Sequence, residues 1–125
     1  MDVIPLAKII PLHEVRDAEK LRTLTESMED KGWVGAPLVA IPYCDGFQAL
    51  TGSHRRAAAC DADLYEIPVE VIPYEALTPE QWESLEMEHD TEGYLRTLEE
   101  CAEDGATGLD AAIALLQAEV EKEGQ

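Results

Sequence analysis

The stretch QALTGSHRRAAA, residues 48–59, sets a glycine, a hydroxyl, an imidazole and two guanidiniums side by side and then continues as alanines. These residue types bind anions. Gly52 lets an oxyanion approach the backbone, the Ser53 hydroxyl can donate a hydrogen bond, and Arg55 or Arg56 can fork two oxygens at once. His54 can donate to a phosphate oxygen or pass a proton. Where such a turn joins a strand to a helix, unpaired N–H groups and the positive end of the helix dipole add to the attraction. A capped helix with solvated or ion-paired arginines explains any one of these residues. Their clustering at one turn favours an anion site.

The flanks supply the strand and the helix. PLVAIPY is a continuous apolar run of strand length, CDG is a turn, and FQALT alternates as a second strand, so residues 37–51 predict a hairpin. From Gly52 the pattern becomes helical, with Ser53 able to cap a helix over His54 to Ala62. Upstream, Val3 and Ile4 open a short strand, prolines at 5 and 11 forbid a long element, and a loop carries His13 and Glu14. Asp17 is a good cap for a helix over Ala18 to Lys31, where Leu21, Leu24 and Met28 recur at helical spacing and Gly32 ends the pattern. Downstream, IPVEVI gives a strand with Ile67, Val69 and Val71 on one face.

After Pro73 the chain turns helical and acidic. Thr78, Pro79 and Gln81 supply a cap, a proline at the first helical position and the far half of a capping box. Trp82, Leu85 and His89 share a face, a second segment runs from about Glu92 to Glu103, and a third follows a Thr107 cap. That third segment carries an apolar stripe of Leu109, Ala112, Ile113, Leu116 and Val120, which must be buried on the domain or on a second copy of the chain. The predicted class is α+β: a small mixed sheet with helices over 1–74 and an acidic helical extension over 75–125, packed together as one compact unit.

Composition bounds the function. The 125 residues suit a single domain, and the net charge of -18 is unevenly shared. Residues 1–60 carry seven Lys and Arg against eight Asp and Glu, whereas 61–125 carry two against nineteen. Such a surface repels polyanions, so direct binding of DNA or an anionic membrane by the whole chain is disfavoured. No apolar run approaches the ~20 residues that span a bilayer. Met1 is followed by Asp2 rather than by a basic targeting segment. Cys44, Cys60 and Cys101 are odd in number, without a CxxC pair or a histidine at zinc-ligand spacing, which predicts reduced thiols in a cytoplasmic protein and no metal site.

The segments IPLAKIIPLHEV, SMEDKGW, PLVAIP, ALTGSHRRAAA and IPVEVI occur in the order found in the ParB/sulfiredoxin-like superfamily, which residues 2–73 resemble. The resemblance implies that Gly52, His54 and Arg55 match the phosphate-contacting turn of sulfiredoxin and the free serine kinases. It also implies a nucleoside di- or triphosphate, with magnesium, as ligand. ParB proper carries arginine at the place of His54 and again at Ala57, so the match weakens an expectation of ParB-like CTP hydrolysis. Sulfiredoxin places its catalytic cysteine where Ser53 stands, which argues against sulfinate repair. The serine kinases carry a catalytic glutamate in a His-Glu pair after the first strand, and His13-Glu14 corresponds to it, making Glu14 with His54 the candidate catalytic groups. Short phage and plasmid proteins termed ParB-like nucleases resemble this chain most.

Three functions follow. The first is a nucleotide- or phosphate-binding domain, with NTPase or phosphotransferase chemistry, using Gly52, Ser53, His54, Arg55 and Arg56. The second is a non-enzymatic protein whose acidic helices imitate nucleic acid or dock on a basic protein partner. The third is a ParB-like nuclease. A homodimer is compatible with each.

Overall fold

The computed structural model describes residues 2–123. Five strands form one mixed sheet: β1 Asp2–Pro5, β2 Ile9–Ile10, β3 Leu38–Tyr43, β4 Gly46–Ala49 and β5 Glu66–Val71, in the order β1-β5-β3-β4-β2. β3 and β4 form the antiparallel hairpin, β5 runs parallel to β3, and β1 and β2 close the edges.

β3 lies at the centre, and this explains its uninterrupted apolar sequence. Alternate residues of a strand point to opposite faces, so a strand covered on both sides needs apolar side chains throughout. Leu38 and Ala40 join a cluster with Met28, Ala58, Ile67 and Val69, under the helices α1 Ala18–Lys31 and α2 Ser53–Asp61. Val39 and Ile41 face the other way. They meet Leu85, Leu98 and Leu116 from α3 Pro79–Glu86, α4 Thr91–Glu103 and α5 Asp110–Glu123. The molecule is a three-layer α+β sandwich whose acidic C-terminal helices form the third layer.

Most helix ends follow their caps. Asp17 accepts from the Lys20 N–H at 3.0 Å, and Gly32 ends α1 with φ +80°. Thr78 and Gln81 form the reciprocal capping box at 3.2 and 2.9 Å. The predicted stripe is buried at Leu109, just before α5, and at Ala112 and Leu116 within it, against the tail helices and the sheet, so its burial does not require a second copy of the chain. Trp82 is held by a hydrogen bond from Nε1 to the Tyr74 carbonyl at 2.9 Å and by stacking on the Tyr74 ring.

Several local expectations change. α3 ends at Glu86, so His89 lies exposed beyond it and does not share the buried face of Trp82 and Leu85. The loop after β1 contains β2, two residues paired in parallel with β4. α5 begins at Asp110, so Thr107 stands too far upstream to cap it. Ser53 is the first residue of α2 and not its cap. Gly52 holds that position, with no side-chain cap bond. The strand β4 ends at Ala49, and Thr51 Oγ1 then accepts from the Val39 N–H at 3.3 Å, carrying the chain from sheet to helix.

Candidate phosphate site at the α2 turn

Gly52 sets the geometry. Its φ of +73° lies in the left-handed region, and a Cβ there would come within 2.1 Å of Leu38 Cδ2. Both the backbone and the packing therefore require glycine. The next residues enter α2 with the Arg56 N–H bonded to the Gly52 carbonyl at 2.8 Å, so the earlier N–H groups of the turn lie ahead of the helical ladder.

Ser53 is only 4% exposed, and its Oγ accepts from the His13 N–H at 3.2 Å. The hydroxyl therefore pins the loop 11–17 over the turn. His54 makes a second tie, because its Nε2 accepts from the Asp17 N–H at 3.1 Å. An imidazole nitrogen that accepts is unprotonated, which places the ring proton on Nδ1. Burial lowers the His54 pKa below its ordinary value, helped by Lys20 and His13 and opposed by Asp17. The His13 and His54 rings stand edge to face with centroids 6.2 Å apart, and His13 Nδ1 donates to the Glu14 carbonyl at 2.7 Å.

Arg55 is the most constrained member. One arm of its guanidinium donates to the Ala36 carbonyl, and the other donates to Glu119 Oε1 at 2.8 Å. The plane lies over Trp33, 5.2 Å from the ring centroid, and Gly35 leaves room for it, since a Cβ there would meet a guanidinium nitrogen at 3.0 Å. Burial draws its pKa down while Glu119 opposes the shift.

A cavity of about 230 Å³ opens at this turn. Gly52, Ser53, His54 and Arg55 form one wall. His13 and Lys20 come from the loop and the first turn of α1, and Glu119 and Lys122 come from α5. Thr91 closes the floor, its hydroxyl donating to the Leu50 carbonyl at 3.0 Å. Among the described residues, three of the chain's nine Lys and Arg line this cavity against one of its 27 Asp and Glu. The local charge is thus the reverse of the global one.

Two of the predicted residues stand apart. Arg56 turns away from the cavity, its Nε donating to the Ile9 carbonyl at 2.8 Å, where it holds β2 in place. Glu14 is exposed and is not part of the cavity wall. Conversely, Lys20, Glu119 and Lys122 line the cavity although they are not among the sequence-based candidates, and Trp33 lies under the Arg55 guanidinium. Lys20 has a local signal, since the Asp17 cap places it in the first turn of α1 beside the His13 loop. Glu119 and Lys122 have none. Glu119 is 64 residues away from Arg55 in the chain and reaches it only through the packing of α5 on the sheet.

Among the described residues no group of three or more His, Cys, Asp or Glu could hold a metal ion, and no helix is long and apolar enough to cross a membrane.

Comparison with solved structures finds the same fold elsewhere. C-terminally truncated chromosome-partitioning protein ParB from Caulobacter crescentus, complexed with CTP-gamma-S, is 24% identical with a TM-score of 0.52, over 63% of this chain and 46% of that one. The same protein complexed to the centromeric parS site is 19% identical with a TM-score of 0.52, over 79% and 55%. Sulfiredoxin from Arabidopsis thaliana is 23% identical with a TM-score of 0.50, over 59% and 88%. The chain thus spans about half the length of the ParB structures that it matches. No curated protein matches it. The ParB N-terminal domain model matches residues 1–86, more than half of the sequence, and the chain therefore belongs to the ParB N-terminal domain family.

Proposed function

We propose that this protein binds the phosphate groups of a nucleoside di- or triphosphate in the cavity at the α2 turn. The observation that carries the reading is the gathering of Lys20, Arg55, Lys122 and two histidines around a helix N-terminus in a chain of net charge -18. Each has a role. The Gly52 turn lets an oxyanion approach the backbone, the Ser53 hydroxyl and His54 Nδ1 donate, and Arg55 supplies the charge-assisted contact. The lysines add long-range attraction that offsets the repulsion of the acidic layer.

Magnesium would arrive on the phosphates rather than in a cage of protein ligands, since Glu119 is the carboxylate that the described residues bring to the cavity. Hydrolysis or phosphotransfer would require a base at the phosphates. His54 would fill that role only after its unprotonated Nε2 is released from the Asp17 N–H, because Nδ1 carries the proton and donates. Glu14 would have to swing in from its exposed loop. The ParB complex with CTP-gamma-S supports a nucleotide as the ligand of this fold.

Titration calorimetry of the full chain with ATP, ADP, CTP and GTP in the presence of magnesium tests the reading. A charge-assisted bidentate contact contributes about 1.5 to 3 kcal/mol, so Arg55→Ala should weaken binding about tenfold or more with the fold retained. Equal affinity in the variant would remove Arg55 from the site.

A further inference from the structure

The cavity contains a feature from beyond residues 1–86, the part matched by the family model. Both arms of the Arg55 guanidinium are already engaged, one by a backbone carbonyl and one by a carboxylate of the terminal helix. We propose that Glu119 is an intramolecular latch on the phosphate site, a carboxylate that occupies Arg55 until a polyphosphate displaces it. This inference rests on the reading of the cavity as a phosphate site.

The pair is well shielded, with side-chain exposures of 11% for Arg55 and 20% for Glu119, so its attraction is screened less than that of a surface ion pair. Two of the five guanidinium N–H groups are used, and a phosphate that grips Arg55 through the arm held by Glu119 has to displace that carboxylate. The Ala36 carbonyl is fixed in the chain between α1 and β3. Glu119 lies near the end of α5 and can leave by a side-chain rotation or a shift of the last turns. Exchange keeps Arg55 paired throughout, which avoids the cost of a buried, unpartnered charge.

The exchange also sets a threshold on ligand charge. An anion that satisfies only Arg55 gains little over the carboxylate that it replaces. A di- or triphosphate satisfies Arg55 and also reaches Lys20 and Lys122, so it gains where orthophosphate does not. Lys122 follows Glu119 by three residues and therefore shares its face of α5. The helix presents a competitor for Arg55 and a further cation for the ligand. By linkage, a ligand that displaces Glu119 must loosen the end of α5 to the same extent that the latch weakens binding.

The test is calorimetry of the full chain with inorganic triphosphate and orthophosphate in metal-free buffer, for the wild type, Glu119→Gln, Glu121→Gln and the double variant R55A/E119Q. Glu121 is exposed on the same helix and controls for the loss of one negative charge. Glu119→Gln should bind triphosphate about tenfold more tightly than the wild type and gain measurable orthophosphate binding, whereas Glu121→Gln should change affinity less than about twofold. The double variant should lose the gain. Amide exchange in the last turn of α5 should quicken when triphosphate is added to the wild type. Equal or weaker triphosphate binding by Glu119→Gln, beside a wild type that binds, overturns the latch and leaves the phosphate site standing. Slower exchange at the end of α5 likewise overturns it. An absence of binding by every variant removes the site itself, and the latch with it.

Discussion

The two faces of the sheet bury similar apolar clusters and differ sharply in charge. The face under α1 and α2 belongs to the nearly balanced part of the chain and carries the glycine turn, whereas the face under α3, α4 and α5 belongs to the part with nineteen acids against two bases. The same strand, β3, serves both through alternate side chains. Burial of apolar area therefore does not explain the acidity of the third layer, because its carboxylates contribute self-repulsion to the fold. The difference matters at the seam. There α5 lends the basic cavity one carboxylate on Arg55 and one lysine, so the acidic layer supplies both a counter-ion and a part of the site.

The largest expected effect tests whether the third layer is integral. Leu116 is fully buried among residues of α3, α4 and the sheet, so Leu116→Ala should lower stability by about 2 to 5 kcal/mol. Both faces should unfold in one transition. A melt in which the helical signal of the tail is lost while the sheet persists would break the comparison into two independent units.

The next effect lies on the opposite face. Gly52→Ala must place a side chain in the left-handed region and against Leu38, at a combined cost of about 2 to 4 kcal/mol. Denaturant unfolding would check this, and a change below ~0.5 kcal/mol would show that the turn is not as constrained as its geometry requires.

The smallest effect concerns pH. The folded pKa of His54 is lowered, first by burial and then by Lys20 and His13, so its neutral form is favoured in the folded state. Below its ordinary pKa of about 6.5 the unfolded chain takes up a proton first. The stabilising contribution is therefore complete above that pH and is lost as pH falls through the folded pKa, when Nε2 can no longer accept from Asp17. His54→Gln should show a shallower loss of stability than the wild type between about pH 7 and 5. Parallel profiles for the two proteins would place the titration elsewhere.

Much of this architecture is legible in the chain, for reasons that differ by element. The α1 boundaries follow from Asp17 and Gly32, the α3 start from Thr78 and Gln81, and the hairpin from PLVAIPY and its CDG turn, because each signal is local and physically specific. β2 escapes such reading. Two residues have no periodicity, and they are held by Gln48 donating to the Ile10 carbonyl and Arg56 donating to the Ile9 carbonyl from distant positions. The start of α5 escapes it too, since Thr107 is a plausible cap by type but lies in the turn before the helix. In the site, Gly52, Ser53, His54 and Arg55 were readable because they adjoin in sequence. That adjacency misleads for Arg56, whose guanidinium turns to the Ile9 carbonyl at the β2 edge instead of the cavity. Glu119 and Lys122 become visible only once α5 is packed on the sheet.

The central claim is that the turn at Gly52 is an anion site inside an acidic protein. Its most direct test is a two-dimensional amide NMR titration of the full chain with inorganic triphosphate at physiological ionic strength. The claim predicts saturable shifts concentrated at residues 52–55, with smaller ones at His13, Lys20 and Lys122. Saturable shifts that spare residues 52–55, or no shifts at millimolar triphosphate, would contradict it.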